Sequence, residues 1–176
     1  MISFLLLGIC FVLLVLCVVA LFYIIFLGVL YAPFVPSSSK KVKEILKIAD
    51  LKRGQVFVDL GSGDGKVVMR AVKDYGVIGI GVELNILLNL YARFMARIFK
   101  LRNIRFIIAH LYTYDLRNAQ VVYIFLFPQM MTVLARKIKK ECKQGTLIIA
   151  HGFQLPGFTP FQQIDTSPFP TYFYRV

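Results

Sequence analysis

The sequence predicts an α/β fold, an open and mostly parallel sheet with helices on both faces, preceded by one N-terminal transmembrane helix. Residues 56–58 form a short apolar run that ends in an acid, Asp59, and has the length and β-branched character of a buried parallel strand. A glycine-rich turn follows, and then residues 66–73 carry apolar side chains at helical spacing. A second apolar run, residues 77–82, ends in an acid. Strand, turn, helix and strand form the opening unit of such a sheet, which binds ligands at the carboxyl ends of its strands.

The turn between the first strand and the first helix of this unit is the main candidate binding site. Glycine tolerates backbone conformations that other residues avoid, and it lets the backbone approach a ligand closely. Glu83 ends the second strand about 20 residues after the turn, where a carboxylate can accept hydrogen bonds from both hydroxyls of a ribose. The candidate residues of the turn are Asp59, Gly61, Ser62, Gly63, Asp64 and Gly65.

The acids around this turn discriminate between two classes of nucleoside ligand. A dinucleotide site usually has the spacing G-x-G-x-x-G and a helix N-terminus that receives the pyrophosphate. Here the spacing is G-x-G-x-G, with Asp59 before it and Asp64 inside it. Carboxylates at these positions would repel a pyrophosphate, whereas they suit S-adenosylmethionine, which is cationic and has no phosphate. The electrostatics therefore favour a methyl donor.

Residues 59–65 (Asp-Leu-Gly-Ser-Gly-Asp-Gly) and 81–85 (Gly-Val-Glu-Leu-Asn) together resemble the motifs of class I, seven-strand methyltransferases. More narrowly, the chain is similar to the small membrane-associated protein-lysine methyltransferases that modify the mitochondrial adenine nucleotide translocase and the ATP synthase c-subunit, and to their prokaryotic relatives. The likeness extends to residues 33–37, 128–131 and 155–160. It implies a Rossmann-like class I methyltransferase sheet, S-adenosylmethionine as cofactor and a protein lysine as substrate. It also adds Leu84 and Asn85 to the candidate cofactor contacts.

His110 follows a third predicted strand, residues 105–109, and departs from the family pattern. The resemblance implies an Asp or Asn here that binds the adenine amino group. A neutral histidine can accept a hydrogen bond at one ring nitrogen and donate at the other, so His110 remains a candidate cofactor contact. The alternative is a side chain that only stacks or points to solvent.

Pro128 and Gln129 follow a fourth predicted strand, residues 119–127, and are the candidate catalytic residues. In the architecture that the resemblance implies, they lie above the methyl group. Methyl transfer to a lysine needs an amine that is neutral, desolvated and aimed, so no dedicated general base is required. Four aromatic side chains are candidates for an apolar slot around that amine, or alternatively for the core: Phe125, Phe127, Phe153 and Phe158.

The remaining predicted elements complete the sheet and its helices. Two amphipathic segments, residues 40–49 and 85–100, have apolar positions at core spacing. Residues 145–150 are a fifth strand, and residues 172–176 are a terminal strand antiparallel to residues 161–164. The predicted core positions of the two helices are Val42, Ile45, Leu46, Ala49, Leu88, Ala92, Met95 and Phe99.

The N-terminal segment has the composition of a membrane anchor. Residues 1–39 carry no charged side chain, and the apolar stretch at 4–30 exceeds the roughly 20 residues that cross a bilayer. Lysines follow at 40, 41, 43 and 47, which predicts that the domain lies on the cytoplasmic or matrix side. We expect a transmembrane anchor at 1–32, a Pro-rich segment and amphipathic helix at 33–55, and a methyltransferase domain at 56–176. The resemblance implies that Pro36 and Ser37 lie over the cofactor.

The net charge of +12 lies entirely in the part of the chain after the anchor. It favours an anionic membrane surface or a nucleic acid as neighbour, and the anchor favours the membrane. No nucleic-acid motif is visible, so no nucleic-acid partner is expected. Cys10 and Cys17 lie in the apolar segment and Cys142 stands alone, so neither a disulfide framework nor a metal site is expected.

The favoured function is therefore an anchored, S-adenosylmethionine-dependent protein-lysine methyltransferase that acts on a membrane or membrane-apposed protein. One alternative is methylation of a lipid or lipophilic small molecule. Another is a non-catalytic S-adenosylmethionine-binding module, in which His110 marks the loss of activity. The intact motif from Asp59 to Glu83 favours the enzyme.

Overall fold

The structure is a computed structural model that describes residues 2–30 and 39–176. These residues form two units, an N-terminal helix and an α/β domain. The Pro-rich segment at 33–37, including the predicted cofactor contacts Pro36 and Ser37, lies outside the described residues.

The N-terminal helix, α1 (Ile2–Leu30), is long and almost wholly apolar because its sequence offers no polar face. Its window Leu6–Tyr23 has a mean hydropathy of 3.0, and none of that window is buried. By length and composition, α1 is a candidate membrane span.

The α/β domain is built on one seven-stranded sheet in the order β3-β2-β1-β4-β5-β7-β6. The first five strands are parallel, and β7 pairs antiparallel with both β5 and β6. This arrangement confirms the predicted class I methyltransferase sheet, including its antiparallel terminal strand. The strands are β1 (Val56–Leu60), β2 (Ile78–Val82), β3 (Ile104–Ile107), β4 (Val121–Ile124), β5 (Leu147–His151), β6 (Gln162–Ile164) and β7 (Thr171–Arg175).

Helices cover both faces of the sheet and divide the core into two clusters. One cluster includes Val42, Val68 and Ala92, which belong to three helices, and the other includes Leu134 and Ile138 of a fourth helix. The buried face predicted for the segment at 40–49 is confirmed, because Val42, Ile45, Leu46 and Ala49 are all buried. The helices are α2 (Ser39–Ile48), α3 (Lys66–Tyr75), α4 (Ile86–Ile98) and α5 (Pro128–Glu141).

The register of the parallel strands brings their carboxyl ends to one edge of the sheet. Leu60 at the end of β1 lies beside Val82 of β2 and Ile124 of β4. Ile124 in turn lies beside Ala150 of β5. The loops after β1, β2, β4 and β5 therefore share this edge, which is where the candidate site residues were predicted.

The packing of α4 differs from the prediction. Ala92 is buried as predicted, but Leu88 and Met95 are only partly buried, and Phe99 is 55% exposed. The fully buried line instead contains Ala92, Ala96 and Asn89. Ala92 lies beside the glycine turn, since a Cβ added at Gly65 would lie 2.9 Å from its Cβ, and this leaves little space for a larger side chain at position 92.

Candidate functional site

The turn after β1 is held against the end of β2 by its own backbone. The N–H groups of Gly61 and Ser62 both donate to the carbonyl of Val82, at 2.8 and 3.0 Å. The N–H of Gly65 donates to the carbonyl of Ser62 at 2.8 Å and closes the turn before α3 begins. The turn is thus a fixed element at the edge of the sheet.

Glu83 connects this turn to the start of α4. Its Oε2 accepts from the N–H of Gly63 at 2.9 Å, and its Oε1 accepts from the N–H of Asn85 at 2.8 Å. Each carboxylate oxygen has two lone pairs, so each retains one acceptor site after these bonds. The backbone therefore holds both oxygens in place and leaves acceptor capacity for a ligand with two hydroxyls.

Asp59 is the most deeply buried acid of the site, with 2% of its surface exposed. Burial raises the pKa of this carboxyl well above its ordinary value, and the negative charges of Glu83 and Asp64 raise it further. Three of the nine acidic residues of a chain with net charge +12 are therefore gathered at one turn. A cationic ligand would relieve their mutual repulsion, and an anionic one would increase it.

Asp64 has local partners at the start of α3. Its Oδ1 accepts from the N–H of Lys66 at 3.1 Å, and its Oδ2 lies 3.6 Å from the ammonium of Lys66. Gly65, the N-cap residue of α3, offers no side chain for capping. Asp64 therefore accepts a hydrogen bond from the Lys66 N–H at the start of α3, which the N-cap residue Gly65 cannot do.

We expect Asp64→Asn to weaken binding of both S-adenosylmethionine and S-adenosylhomocysteine by no more than about threefold, because Asn keeps the capping oxygen and the Asp64 charge is already paired with the Lys66 ammonium. Calorimetric titration of the full chain with both ligands at low salt measures this. A loss confined to S-adenosylmethionine, whose sulfur is charged, would instead place the Asp64 carboxylate beside the sulfonium.

The absence of side chains at two glycines makes room for Phe106 of β3. A Cβ added at Gly65 would lie 2.6 Å from the Phe106 ring and 2.9 Å from Cβ of Ala92. A Cβ at Gly81 would lie 2.5 Å from the same ring and 2.7 Å from Oγ of Ser62. We expected the glycines of the turn to let a ligand approach the backbone. Gly65 has a second role, because its lack of a side chain also lets β3 and α4 pack behind the turn.

The other predicted cofactor contacts lie at the same edge with different exposure. Ser62 is buried, and its Oγ has no hydrogen-bond partner among the described residues. Leu84 is 39% exposed. Asn85 is the N-cap of α4, where its side chain accepts from the N–H groups of Leu87 and Leu88 at 3.0 and 3.2 Å.

His110 lies in the exposed turn that follows β3. Its Nδ1 accepts from the N–H of Tyr112 at 3.3 Å, and the two rings are 4.9 Å apart between centroids. When the imidazole is neutral, this bond leaves its proton on Nε2. His110 can therefore donate from Nε2, but it lacks the free acceptor of an Asp or Asn side chain.

Pro128 and Gln129 are exposed at the first turn of α5. The proline suits this position because the first N–H of a helix has no intrahelical partner. The four aromatic candidates for an apolar slot are all partly buried but do not form one group. Phe125 packs against the core cluster that contains Val42, whereas Phe153 and Phe158 pack against the cluster of α5.

His151, at the carboxyl end of β5, is a candidate site residue that the sequence pattern did not indicate. It is buried, and its ring contacts Phe125 at 4.4 Å between centroids. The hydroxyl of Thr166 donates its one proton to the carbonyl of Phe169. It also lies 2.8 Å from the hydroxyl of Thr171, so in that hydrogen bond Thr171 is the donor and Thr166 the acceptor. Thr171 must then accept from Nδ1 of His151 at 2.8 Å, which places the proton of the neutral imidazole on Nδ1.

Burial lowers the pKa of His151 from 6.5 to about 4, with a smaller contribution from the charge of Lys41. Between pH 6.5 and pH 4, His151 is protonated in the unfolded chain but stays neutral in the folded chain. The free energy of unfolding therefore falls as the pH is lowered through this range. We expect wild type to lose about 2 kcal/mol more than His151→Gln between pH 7.5 and pH 5. Denaturant unfolding of the full chain at both pH values measures this, and equal losses would contradict a neutral buried imidazole.

A comparison with protein families finds a family whose model spans this edge of the sheet. A family model described as the ANTKMT methyltransferase domain matches residues 59–162, which include the glycine turn, Glu83, His110 and Pro128.

Individual relatives are similar over most of the α/β domain. A lysine N-methyltransferase of the ATP synthase c-subunit from Mus musculus is 38% identical over 73% of this chain and 51% of its own length. A protein-lysine N-methyltransferase of Saccharolobus islandicus is 31% identical over 78% of this chain and 86% of its own. The chain thus spans about half the length of the mouse relative.

Among solved structures, an RNA methyltransferase from Salinibacter ruber in complex with S-adenosyl-L-homocysteine superposes with a TM-score of 0.78. It is 29% identical and covers 81% of this chain and 94% of its own. This fold is therefore known to bind S-adenosyl-L-homocysteine, the product of S-adenosylmethionine after methyl transfer.

Proposed function

Because the chain belongs to the ANTKMT methyltransferase family, we propose that it transfers a methyl group from S-adenosylmethionine to a lysine side chain of a membrane or membrane-apposed protein. The observation that carries this proposal is the turn at which the Glu83 carboxylate is anchored on two backbone N–H groups beside buried Asp59. Family relatives whose names specify protein-lysine N-methyltransferases support the substrate class.

The cofactor is S-adenosylmethionine, which supplies a methyl group on a positively charged sulfur. The residues of this chain fit its positive charge, since the carboxyl groups of Asp59, Asp64 and Glu83 gather at this turn. We propose that the free lone pairs of Glu83 accept from the ribose hydroxyls. His110 contacts the adenine by donating from Nε2, and the side chains of the turn bind the remainder.

At the acceptor side, we propose that Pro128 and Gln129 border the place where the lysine amine meets the methyl group. Both are exposed at the carboxyl edge of the sheet, where a protein substrate has access. Gln129 can orient an amine by hydrogen bonding without binding its proton. The chain's part in the reaction is then to position and desolvate the amine rather than to provide a strong base.

We further propose that α1 anchors the domain in a membrane, as a segment at 1–32 followed by a Pro-rich segment and α2, with the methyltransferase domain at 56–176. The apolar window Leu6–Tyr23 and the lysines that follow it support a single span with the domain on the cytoplasmic or matrix side. This location would bring the site to substrates that lie in or on the bilayer.

Methylation of RNA is a second candidate function, favoured by the Salinibacter ruber structure and by the net charge of +12. A lipid substrate and a non-catalytic binding module are the further alternatives. Each predicts a different fate for a transferred methyl group, so one experiment separates them.

The full chain, reconstituted in membranes with labelled S-adenosylmethionine, tests the proposal. We expect the label to be in protein, so that protease treatment releases it as labelled peptides and acid hydrolysis yields labelled methyl-lysine. Glu83→Ala is the matched inactive control. Label that nuclease releases would support RNA, label extracted with lipid would support a lipid substrate, and no label with intact cofactor binding would leave a binding module.

A further inference from the structure

The outer face of α4 is unusually apolar for a helix on the surface of a domain. In the described residues 39–176, twelve large apolar side chains are exposed, and six of them lie on this helix. We call these six the α4 surface: Ile86, Leu87, Leu90, Tyr91, Phe94 and Ile98, each between 50% and 58% exposed. A helix turns by about 100° per residue, so their spacing groups them on one side of α4.

Single exposed apolar residues are ordinary, but a contiguous group marks an interaction surface. Two further apolar side chains, Leu84 before α4 and Phe99 after it, are also exposed. The helix connects β2 to β3, which is the edge strand of the sheet.

The charged side chains between Glu83 and Asp115 all have one sign. Residues 84–114 contain five basic side chains and no Asp or Glu. The five, Arg93, Arg97, Lys100, Arg102 and Arg105, are all exposed. Arg93 is also fixed to the domain, since its Nη2 donates to the carbonyl of Phe106 at 2.7 Å.

We propose that the α4 surface docks on the interface of an anionic lipid bilayer. An interfacial helix buries a Phe- and Leu-rich face at the boundary of the acyl chains and keeps Lys and Arg at the level of the headgroups. Tyr91 suits the same boundary because its ring is apolar and its hydroxyl is polar. A second copy of this chain would bring two rims of five cations together without an acid between 84 and 114 to neutralise them.

The position of α4 connects this docking to the site. The helix begins directly after Glu83, whose carboxylate accepts from the N–H of the N-cap residue Asn85. A bilayer against α4 would therefore hold the cofactor-binding edge at the level of the lipid headgroups. The inference rests on the membrane location proposed above and not on the identity of the substrate.

The chain contains no tryptophan, so a single introduced indole reports its own surroundings. Phe94→Trp reports the α4 surface, and Phe161→Trp is a matched control beside β6 at the opposite edge of the sheet, since these phenylalanines are 58% and 57% exposed. Phe11→Trp reports α1. The full chain carrying each variant is reconstituted in vesicles of phosphatidylcholine and phosphatidylglycerol whose acyl chains are brominated to quench indoles on contact.

We expect Phe94→Trp to be quenched at least about threefold more than Phe161→Trp, and Phe11→Trp to be quenched strongly. Removing phosphatidylglycerol, or adding about 1 M salt, where the Debye length is about 3 Å, should reduce the quenching of Phe94→Trp alone. Arg97→Glu with Arg105→Glu should reduce it similarly.

Equal weak quenching of Phe94→Trp and Phe161→Trp, with Phe11→Trp quenched, would overturn docking while leaving the anchor. A blue-shifted but unquenched Phe94→Trp in a cross-linked dimer would assign the α4 surface to a second copy and overturn the proposal. If Phe11→Trp is not quenched, α1 does not lie in the bilayer. Quenching of Phe94→Trp would then still support docking of the α4 surface, and its absence would overturn it. Methyl transfer, measured on the same samples, reports the proposed activity separately.

Discussion

Glu83→Ala is expected to weaken binding of S-adenosylmethionine by about 100-fold or more. The carboxylate would form charge-assisted hydrogen bonds to two ribose hydroxyls, each of which contributes about 1.5–3 kcal/mol. The substitution also removes the acceptor of the Gly63 and Asn85 N–H groups, so the turn and the start of α4 lose their connection. Calorimetric titration of the full chain with the cofactor measures the change, and a Kd within twofold of wild type would reject the ribose role.

Two further variants separate the ribose contacts from the other effects of this substitution. Glu83→Gln keeps the size and one acceptor oxygen, so we expect it to retain the fold and to bind more weakly than wild type but better than Glu83→Ala. Asp50→Asn removes the same single negative charge at an exposed position before β1, at the opposite end of the strands. It should leave the Kd unchanged, and a large effect there would mean that net charge rather than Glu83 controls affinity.

The sheet and its binding edge could be predicted because their signals are local. Apolar runs define β1 and β2, and each ends directly before residues of the candidate site, which are Gly61 to Gly65 after β1 and Glu83 after β2. Parallel strands then bring these residues together without further information. The anchoring of Glu83 on Gly63 and Asn85 required the structure, because it depends on side-chain direction rather than on spacing.

The orientation of α4 could not be predicted, because the helix is apolar around most of its circumference. Periodicity alone does not distinguish a core face with Leu88, Met95 and Phe99 from one with Ala92 and Ala96. In the structure, Phe106 of β3 and Ala92 of α4 both lie next to Gly65, a contact between distant parts of the chain that periodicity does not reveal. His151 was missed for a related reason, since its partner Thr171 is 20 residues away and belongs to a neighbouring strand.

Gly65→Ala is expected to destabilise the domain by about 3 kcal/mol or more, through two separate effects. Gly65 has a φ of 76°, and an L-residue in this left-handed region costs roughly 1–2 kcal/mol. The added Cβ would also lie 2.6 Å from the ring of Phe106 and 2.9 Å from Cβ of Ala92. Both neighbours are buried, so neither can move aside without disturbing the core behind the turn.

Gly54→Ala is the matched control, because Gly54 has a φ of 80° and no atom within 4 Å of the added Cβ. It isolates the backbone cost, so denaturant unfolding should show a loss about 2 kcal/mol smaller than that of Gly65→Ala. Phe106→Leu removes the ring, and in combination with Gly65→Ala it should cost less than the sum of the two single changes. Equal losses for the two glycine variants, or strict additivity with Phe106→Leu, would show that Gly65 is required for its backbone conformation and not for the packing of β3 against the turn.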